Sequence, residues 1–182
     1  MKKIVIIGPE STGKSTLCEH LAKHYNTLWC PEYAREYLLE HGNKYTYDDL
    51  LIIAKGQIEL EEKIIKSTKS NSLHPAHDPL LFIDTNMYVM KVWCEFVFGK
   101  CHQYILDQVA KRKYDLFLLC NTDLPWVKDE LREYPDLVTR QKLFYIYKEI
   151  MKNQATPWIE VMGNNEERLQ NAIAAVDGLL KN

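Results

Sequence analysis

Residues 8–15 read Gly-Pro-Glu-Ser-Thr-Gly-Lys-Ser and directly follow the apolar, β-branched run Ile4-Val5-Ile6-Ile7. That juxtaposition restricts the fold more than any other feature of the chain. A short run without polar residues predicts a strand buried on both faces, as in a parallel sheet. After the loop, Leu17, Leu21 and Ala22 recur at helical spacing. Strand, glycine-bounded loop and helix, in that order, give the G-x-x-x-x-G-K-[ST] pattern its required context. The spacing has a physical reason. A loop of this length lets successive N–H groups point inward around a phosphate, and the opening helix adds its own free N–H groups and positive dipole end. Gly8 and Gly13 allow backbone angles that a Cβ would block. Lys14 supplies a point charge to the β- and γ-phosphates. The Ser15 hydroxyl is the expected Mg²⁺ ligand, and Thr16 braces the loop. With Glu10, Ser11 and Thr12 these residues form the candidate nucleotide site, which implies ATP and Mg²⁺ as cofactors.

The remaining pattern alternates strand and helix. Strands are expected at Thr27–Cys30, Leu80–Asp84, Leu116–Cys120 and Trp158–Met162, with helices at about 14–25, 32–40 and 166–180. The longest helix starts at Thr46 and Asp49, a capping-box-like pair, and carries Leu51, Ala54, Ile58 and Ile65. Ser67–Pro79 is polar, contains two prolines and reads as a surface loop. Thr85 or Asn86 caps the helix after the third strand. Five strands separated by helices imply one α/β domain over 1–182, with an open five-stranded parallel sheet flanked by helices.

With 23 basic and 25 acidic residues the net charge is −2, which argues against nucleic acid or an anionic membrane as partner. The five cysteines include no C-x-x-C pair, so a reducing cytoplasm fits better than a secreted disulfide framework. No apolar run approaches the ~20 residues that span a bilayer. His20 and His24 read as surface residues, and His74 and His77 as adventitious metal binders at most.

A second site element is expected beside the first strand. Asp84 ends an apolar strand with a carboxylate, the place from which a Walker-B-type residue holds Mg²⁺. A small GTPase is excluded because Asp84 is followed by Thr85-Asn86-Met87, without the glycine of a D-x-x-G switch, and because Asn121-Thr122-Asp123 lacks the lysine of a base reader. An AAA+ ATPase needs a helical lid domain and sensor elements, for which the chain is too short. A small kinase with a P-loop NTPase/kinase fold fits the length best. Its acceptor pocket would draw on Glu32 and Arg35, which share a helix face as partners across a cleft or as a solvated ion pair. Tyr33 and Tyr37 belong to the core or line an aromatic pocket. The segment 122–141 is polar and reads as a lid that brings Arg132 and Arg140 over phosphates. Trp126 packs its base or stacks on a ring. Gly163-Asn164-Asn165 reads as an adenine contact or as an ordinary turn.

The loop GPESTGKST, the segment EYAREY (32–37), the strand end FIDT (82–85) and the stretch YDLFLLCNTDLPWVKDELR (114–132) together resemble the ribosylnicotinamide kinase domain of NadR-type proteins. The resemblance covers nearly the whole chain. It implies a P-loop kinase that transfers the γ-phosphoryl of ATP to the 5′-hydroxyl of nicotinamide riboside, giving nicotinamide mononucleotide. Lys14, Arg35, Arg132 and Arg140 would neutralise charge, and Glu32 or Asp84 would orient or deprotonate the hydroxyl. Glu32, Tyr33, Arg35, Asp84, Asn86 and Trp126 would contact the acceptor, and Ser15 with Asp84 the metal. No H-x-G-H adenylyltransferase signature occurs, so a stand-alone kinase is expected. The chain departs from the family at Pro31, where an aromatic residue is common, and at Asn86, where FIDTD is common. A kinase of another nucleoside or small alcohol, and a non-catalytic nucleotide-binding module, remain as alternatives.

Overall fold

The computed structural model describes residues 1–70 and 79–181. The sheet is built from β1 (Lys2–Ile7), β2 (Trp29–Cys30), β3 (Leu80–Asp84), β4 (Leu116–Cys120) and β5 (Trp158–Val161). All neighbours run parallel, in the order β2-β3-β1-β4-β5. The helices are α1 (Lys14–His24), α2 (Tyr33–His41), α3 (Tyr47–Ser70), α4 (Met87–Phe98), α5 (Gln103–Lys111), α6 (Leu137–Lys152) and α7 (Asn165–Leu180).

The central strands are apolar over residues 4–7, 80–83 and 116–120 because both faces are covered. Ile4 and Ile6 pack with Leu17, Leu21 and Val176 on one side, under α1 and α7. Val5 and Ile7 pack with Val89, Leu143 and Tyr147 on the other, under α4 and α6. A third apolar cluster joins α2, α3, α4 and α5 through Leu38, Ile53, Met90 and Ile105. In β1 and β3 the register pairs Ile6 with Asp84. The loop after β1 and the carboxylate ending β3 therefore emerge side by side at the carboxyl edge of the sheet, where open α/β folds bind ligands.

Most of the expected elements form, with three differences. The longest helix is capped as expected, the Thr46 N–H and hydroxyl both donating to Asp49 Oδ2 at 2.7 Å. It continues to Ser70, three residues beyond the start of the expected loop; the rest of that loop, with His74 and His77, lies outside the described residues. Two helices rather than one follow β3, because Gly99 adopts φ 66° and ends α4. The expected lid gives way at Leu137 to α6, whose N-cap Asp136 accepts from the Thr139 N–H at 2.7 Å. Arg140 thus belongs to a helix and not to a lid. The helix is stabilised by a stripe of buried Arg140, Leu143, Phe144, Tyr147 and Met151, the i, i+3, i+4 spacing of a core-facing helix.

Candidate active site

The loop after β1 is shaped by its neighbours. Gly8 has φ 140°, and a Cβ there would lie 2.7 Å from the Cys120 carbonyl oxygen. The end of β4 comes so close that only glycine fits. Gly13 opens α1 with φ 77°. Between them Thr12 is fully buried and donates its hydroxyl to the Pro9 carbonyl at 2.8 Å. The Lys14 ammonium donates to the same carbonyl at 2.9 Å, so its charge lies along the loop.

Asp84 meets this loop from β3. Its Oδ2 accepts from the Ser15 hydroxyl at 2.5 Å, while Oδ1 is buried with no hydrogen-bond partner among the described residues. Burial, then the nearby Glu32 carboxylate, pushes its pKa up to about 6, against the pull of Lys14 and the Ser15 hydrogen bond. A buried carboxylate with a spare oxygen beside a serine hydroxyl offers the hard donors that Mg²⁺ takes when it shares its shell with phosphates. Among the described residues no group of three or more His, Cys, Asp or Glu could hold a metal ion. Thr85, the next residue, has φ 73°, a strained conformation for a β-branched side chain. Its hydroxyl donates to Glu32 Oε1 at 3.4 Å. The strained turn therefore presents Asp84 and Glu32 to one cleft.

That cleft is a cavity of about 330 Å³, within the range of small-molecule sites. The whole loop from Gly8 to Thr16 lines it, together with Asp84, Glu32, Arg35 and Arg132. Arg35 forms a two-point pair with Asp129, at 3.3 and 3.0 Å. The Arg132 guanidinium donates to the Val127 carbonyl.

Four expected contacts lie elsewhere. Tyr33 is not on the cavity wall; its ring packs over Gly56 in α3, and its N–H donates to Gln57 Oε1 at 2.7 Å. Asn86 is buried as the N-cap of α4, accepting from the Tyr88 N–H at 3.0 Å. Trp126 donates through Nε1 to Glu10 Oε1 at 3.2 Å. Arg140 is buried and donates to the carbonyls of Ser11 and Leu124 at 3.3 and 3.2 Å, bracing the loop from behind.

Sequence reasoning missed the part of the cavity lining formed by Tyr45, Trp93, Phe96, Glu133 and Tyr134. Trp93 Nε1 donates to the Tyr45 hydroxyl at 2.8 Å, which donates to Glu133 Oε2 at 2.9 Å. Burial raises the Glu133 pKa. These aromatic residues are scattered over α4 and two loops, so no local motif marks them. Arg168 was also missed. It is buried and joins three carbonyls: Nε to Gly163 at 2.8 Å, Nη1 to Thr12 at 2.9 Å and Nη2 to Asn121 at 3.0 Å. Nη2 also pairs with Asp123.

A parallel sheet with a glycine-bounded phosphate loop after its central strand, and a carboxylate on the adjacent strand, defines a P-loop domain of kinase fold. The chain matches the AAA domain family over residues 3–168 and belongs to it. That match tells against the sequence-based exclusion of an AAA-type ATPase, which rested on chain length. The chain is also 28% identical over 165 residues to the trifunctional NAD biosynthesis/regulator protein NadR of Salmonella typhimurium. It is 27% identical to NadR of Escherichia coli over the same length. Each alignment takes in 88% of this chain and 38% of the relative, so the chain spans well under half of the proteins it matches. Among solved structures, NadR protein in complex with NR superposes with a TM-score of 0.72 at 21% identity, over 100% of this chain and 52% of that one. Thymidylate kinase from Ehrlichia chaffeensis superposes at 0.63 and 15% identity, over 97% and 98%. The expected kinase fold and the resemblance to NadR both hold. No described helix is long and apolar enough to cross a membrane.

Proposed function

We propose that this domain is an ATP-dependent kinase of a small nucleoside, with nicotinamide riboside as acceptor and nicotinamide mononucleotide as product. The observation that carries the reading is one cavity lined both by the phosphate loop and by an aromatic, carboxylate-bearing set of side chains, together with Glu32 and Asp84. A phosphoryl donor and a ring-bearing alcohol could occupy it together. Similarity to NadR, and the fold shared with a NadR protein holding NR, support the acceptor.

Catalysis of this kind rests on positioning and charge stabilisation. The loop amides and Lys14 hold the triphosphate. Mg²⁺, held through Ser15 and Asp84, would supply charge neutralisation at the phosphates. Asp84 Oδ2 is engaged by Ser15, whereas Glu32 faces the cavity with one oxygen steadied by Thr85. Glu32 is therefore the group that orients and deprotonates the acceptor hydroxyl, and Asp84 serves the metal side. Arg35 and Arg132 line the same space and add positive charge.

The test is ADP release from ATP and Mg²⁺ with nicotinamide riboside, the common nucleosides and small alcohols offered separately. Turnover fastest with nicotinamide riboside is expected. Turnover with another nucleoside and none with nicotinamide riboside would overturn the acceptor. Nucleotide binding without acceptor-dependent ADP release would overturn the enzyme.

A further inference from the structure

Glu10 lies in the phosphate loop, yet its carboxylate is taken up by the segment between β4 and α6. Oε2 accepts the Glu133 N–H at 2.9 Å, and Oε1 accepts the Tyr134 N–H at 2.7 Å and Trp126 Nε1 at 3.2 Å. The next loop residue repeats the pattern, with Ser11 Oγ accepting the Val127 N–H at 3.0 Å. Of the residues held in this way, Glu133 and Tyr134 line the cavity beside Tyr45, Trp93 and Phe96. Glu133 accepts from Tyr45, and the Tyr134 ring meets Phe96 edge-on with centroids 5.5 Å apart. A continuous set of contacts thus runs from the turn that wraps the phosphates to the aromatic wall 120 residues later in the chain.

We infer that Glu10 is a positioning residue that couples the two halves of the site, so that nucleotide in the loop strengthens acceptor binding. The inference rests on the kinase reading above. A carboxylate accepting three N–H donors makes charge-assisted bonds, and it holds the lid only when the loop turn itself is ordered. A nucleotide that orders the turn lowers the cost of ordering the wall, and the second ligand then meets a preformed pocket. By linkage the effect is reciprocal, the acceptor tightening nucleotide binding by the same factor.

The experiment measures nicotinamide riboside binding by titration calorimetry, with and without a non-hydrolysable ATP analogue and Mg²⁺. The wild-type protein should bind the acceptor roughly 5- to 100-fold more tightly when the analogue is present. Glu10→Ala should bring that ratio close to one. Glu10→Gln, which retains one carbonyl acceptor, should keep part of it, and Ser11→Ala should lower it with Glu10 intact. Amide hydrogen exchange over residues 126–134 gives a readout that needs no acceptor. The analogue alone should slow exchange there in the wild type and leave it unchanged in Glu10→Ala. A ratio that persists in all three variants overturns the coupling even where the acceptor binds. Absence of acceptor binding in the wild type overturns the acceptor reading instead. The exchange experiment then still decides the role of Glu10, and equal protection in the wild type and Glu10→Ala overturns it.

Discussion

Ser15 donates its hydroxyl to one oxygen of Asp84 at 2.5 Å and leaves the other buried oxygen without a hydrogen-bond partner among the described residues. The pair spans 69 positions of sequence and is closed by the register of β1 against β3. A carboxylate in this position is poorly solvated and half satisfied, so its ionised form is costly until a cation arrives.

That cost makes stability depend on pH. Burial and Glu32 raise the Asp84 pKa from 3.8 to about 6 in the folded protein. Its contribution is full below pH 3.8, where both states are protonated, and is lost as pH rises through about 6. Asp84→Asn should therefore stabilise the ligand-free protein near pH 8 by on the order of 1–3 kcal/mol, with little gain below about pH 4. Mg²⁺ with an ATP analogue should reverse the order, stabilising the wild type more than the variant. Urea denaturation at the two pH values, with and without nucleotide, reads both effects. A variant no more stable than wild type near pH 8 would show that Asp84 is not strained by its burial.

In the proposed reaction Lys14 is the loop cation that meets the phosphates. Removing one preorganised charge from a phosphoryl-transfer site costs on the order of 100- to 1,000-fold in turnover. Lys14→Ala should lose at least that much ADP release. The fold gives up only the bond to the Pro9 carbonyl, worth about 1 kcal/mol, so the melting temperature should fall by no more than about 2–4 °C. Full turnover in a folded Lys14→Ala protein rules out the loop as the phosphoryl site.

Local signals made half of this site legible in the sequence. The loop, its lysine, Ser15 and the Asp84 strand end announce themselves because backbone spacing alone fixes their chemistry. The sheet order could be anticipated as parallel because β1, β3 and β4 are apolar on both faces. The aromatic part of the cavity lining was not legible. Tyr45, Trp93, Phe96 and Tyr134 converge through the packing of α3, α4 and the segment before α6, and each alone resembles an ordinary core aromatic. The start of α6 had a readable signal, Asp136 followed by Thr139 and a buried stripe from Arg140 to Met151. Its polar surroundings masked it. Arg140 was expected over phosphates as part of a lid, and Arg168 carries no motif of its own; both are buried and donate to backbone carbonyls around the loop.

Gly56 tests how the acceptor side is positioned. It lies within α3, where alanine is favoured by about 1 kcal/mol on helix propensity. A Cβ there would fall 2.1 Å from Cε1 of the Tyr33 ring, and overpacking of that kind costs roughly 1–3 kcal/mol. Gly56→Ala should therefore destabilise the protein and raise the KM for the acceptor, because Tyr33 opens the helix whose N-cap is Glu32. In a Tyr33→Ala background the clash is gone, and the same change should become stabilising. Chemical denaturation of the four proteins gives the cycle. Destabilisation by Gly56→Ala in both backgrounds would remove the Tyr33 ring as its cause.

Arg168 tests whether the nucleotide loop depends on a clamp at its back. Its guanidinium reaches the carbonyls of Thr12, Asn121 and Gly163 and pairs with Asp123. It thereby ties the phosphate loop to the ends of β4 and β5. A lysine keeps the charge but is a point donor on a flexible stem, and it cannot span three carbonyls set in a planar fork. Arg168→Lys should leave at least one of those carbonyls unsatisfied, at about 1–3 kcal/mol. Arg168→Ala removes all three carbonyl bonds at once while the exposed Asp123 stays solvated, and should cost somewhat more than the lysine change, about 2–4 kcal/mol. Because the clamp holds Thr12 in place, the KM for ATP should rise more than the KM for the acceptor in Arg168→Lys. Equal changes in the two constants, in a variant of measured stability, would make Arg168 a brace for the whole domain and not for the nucleotide loop.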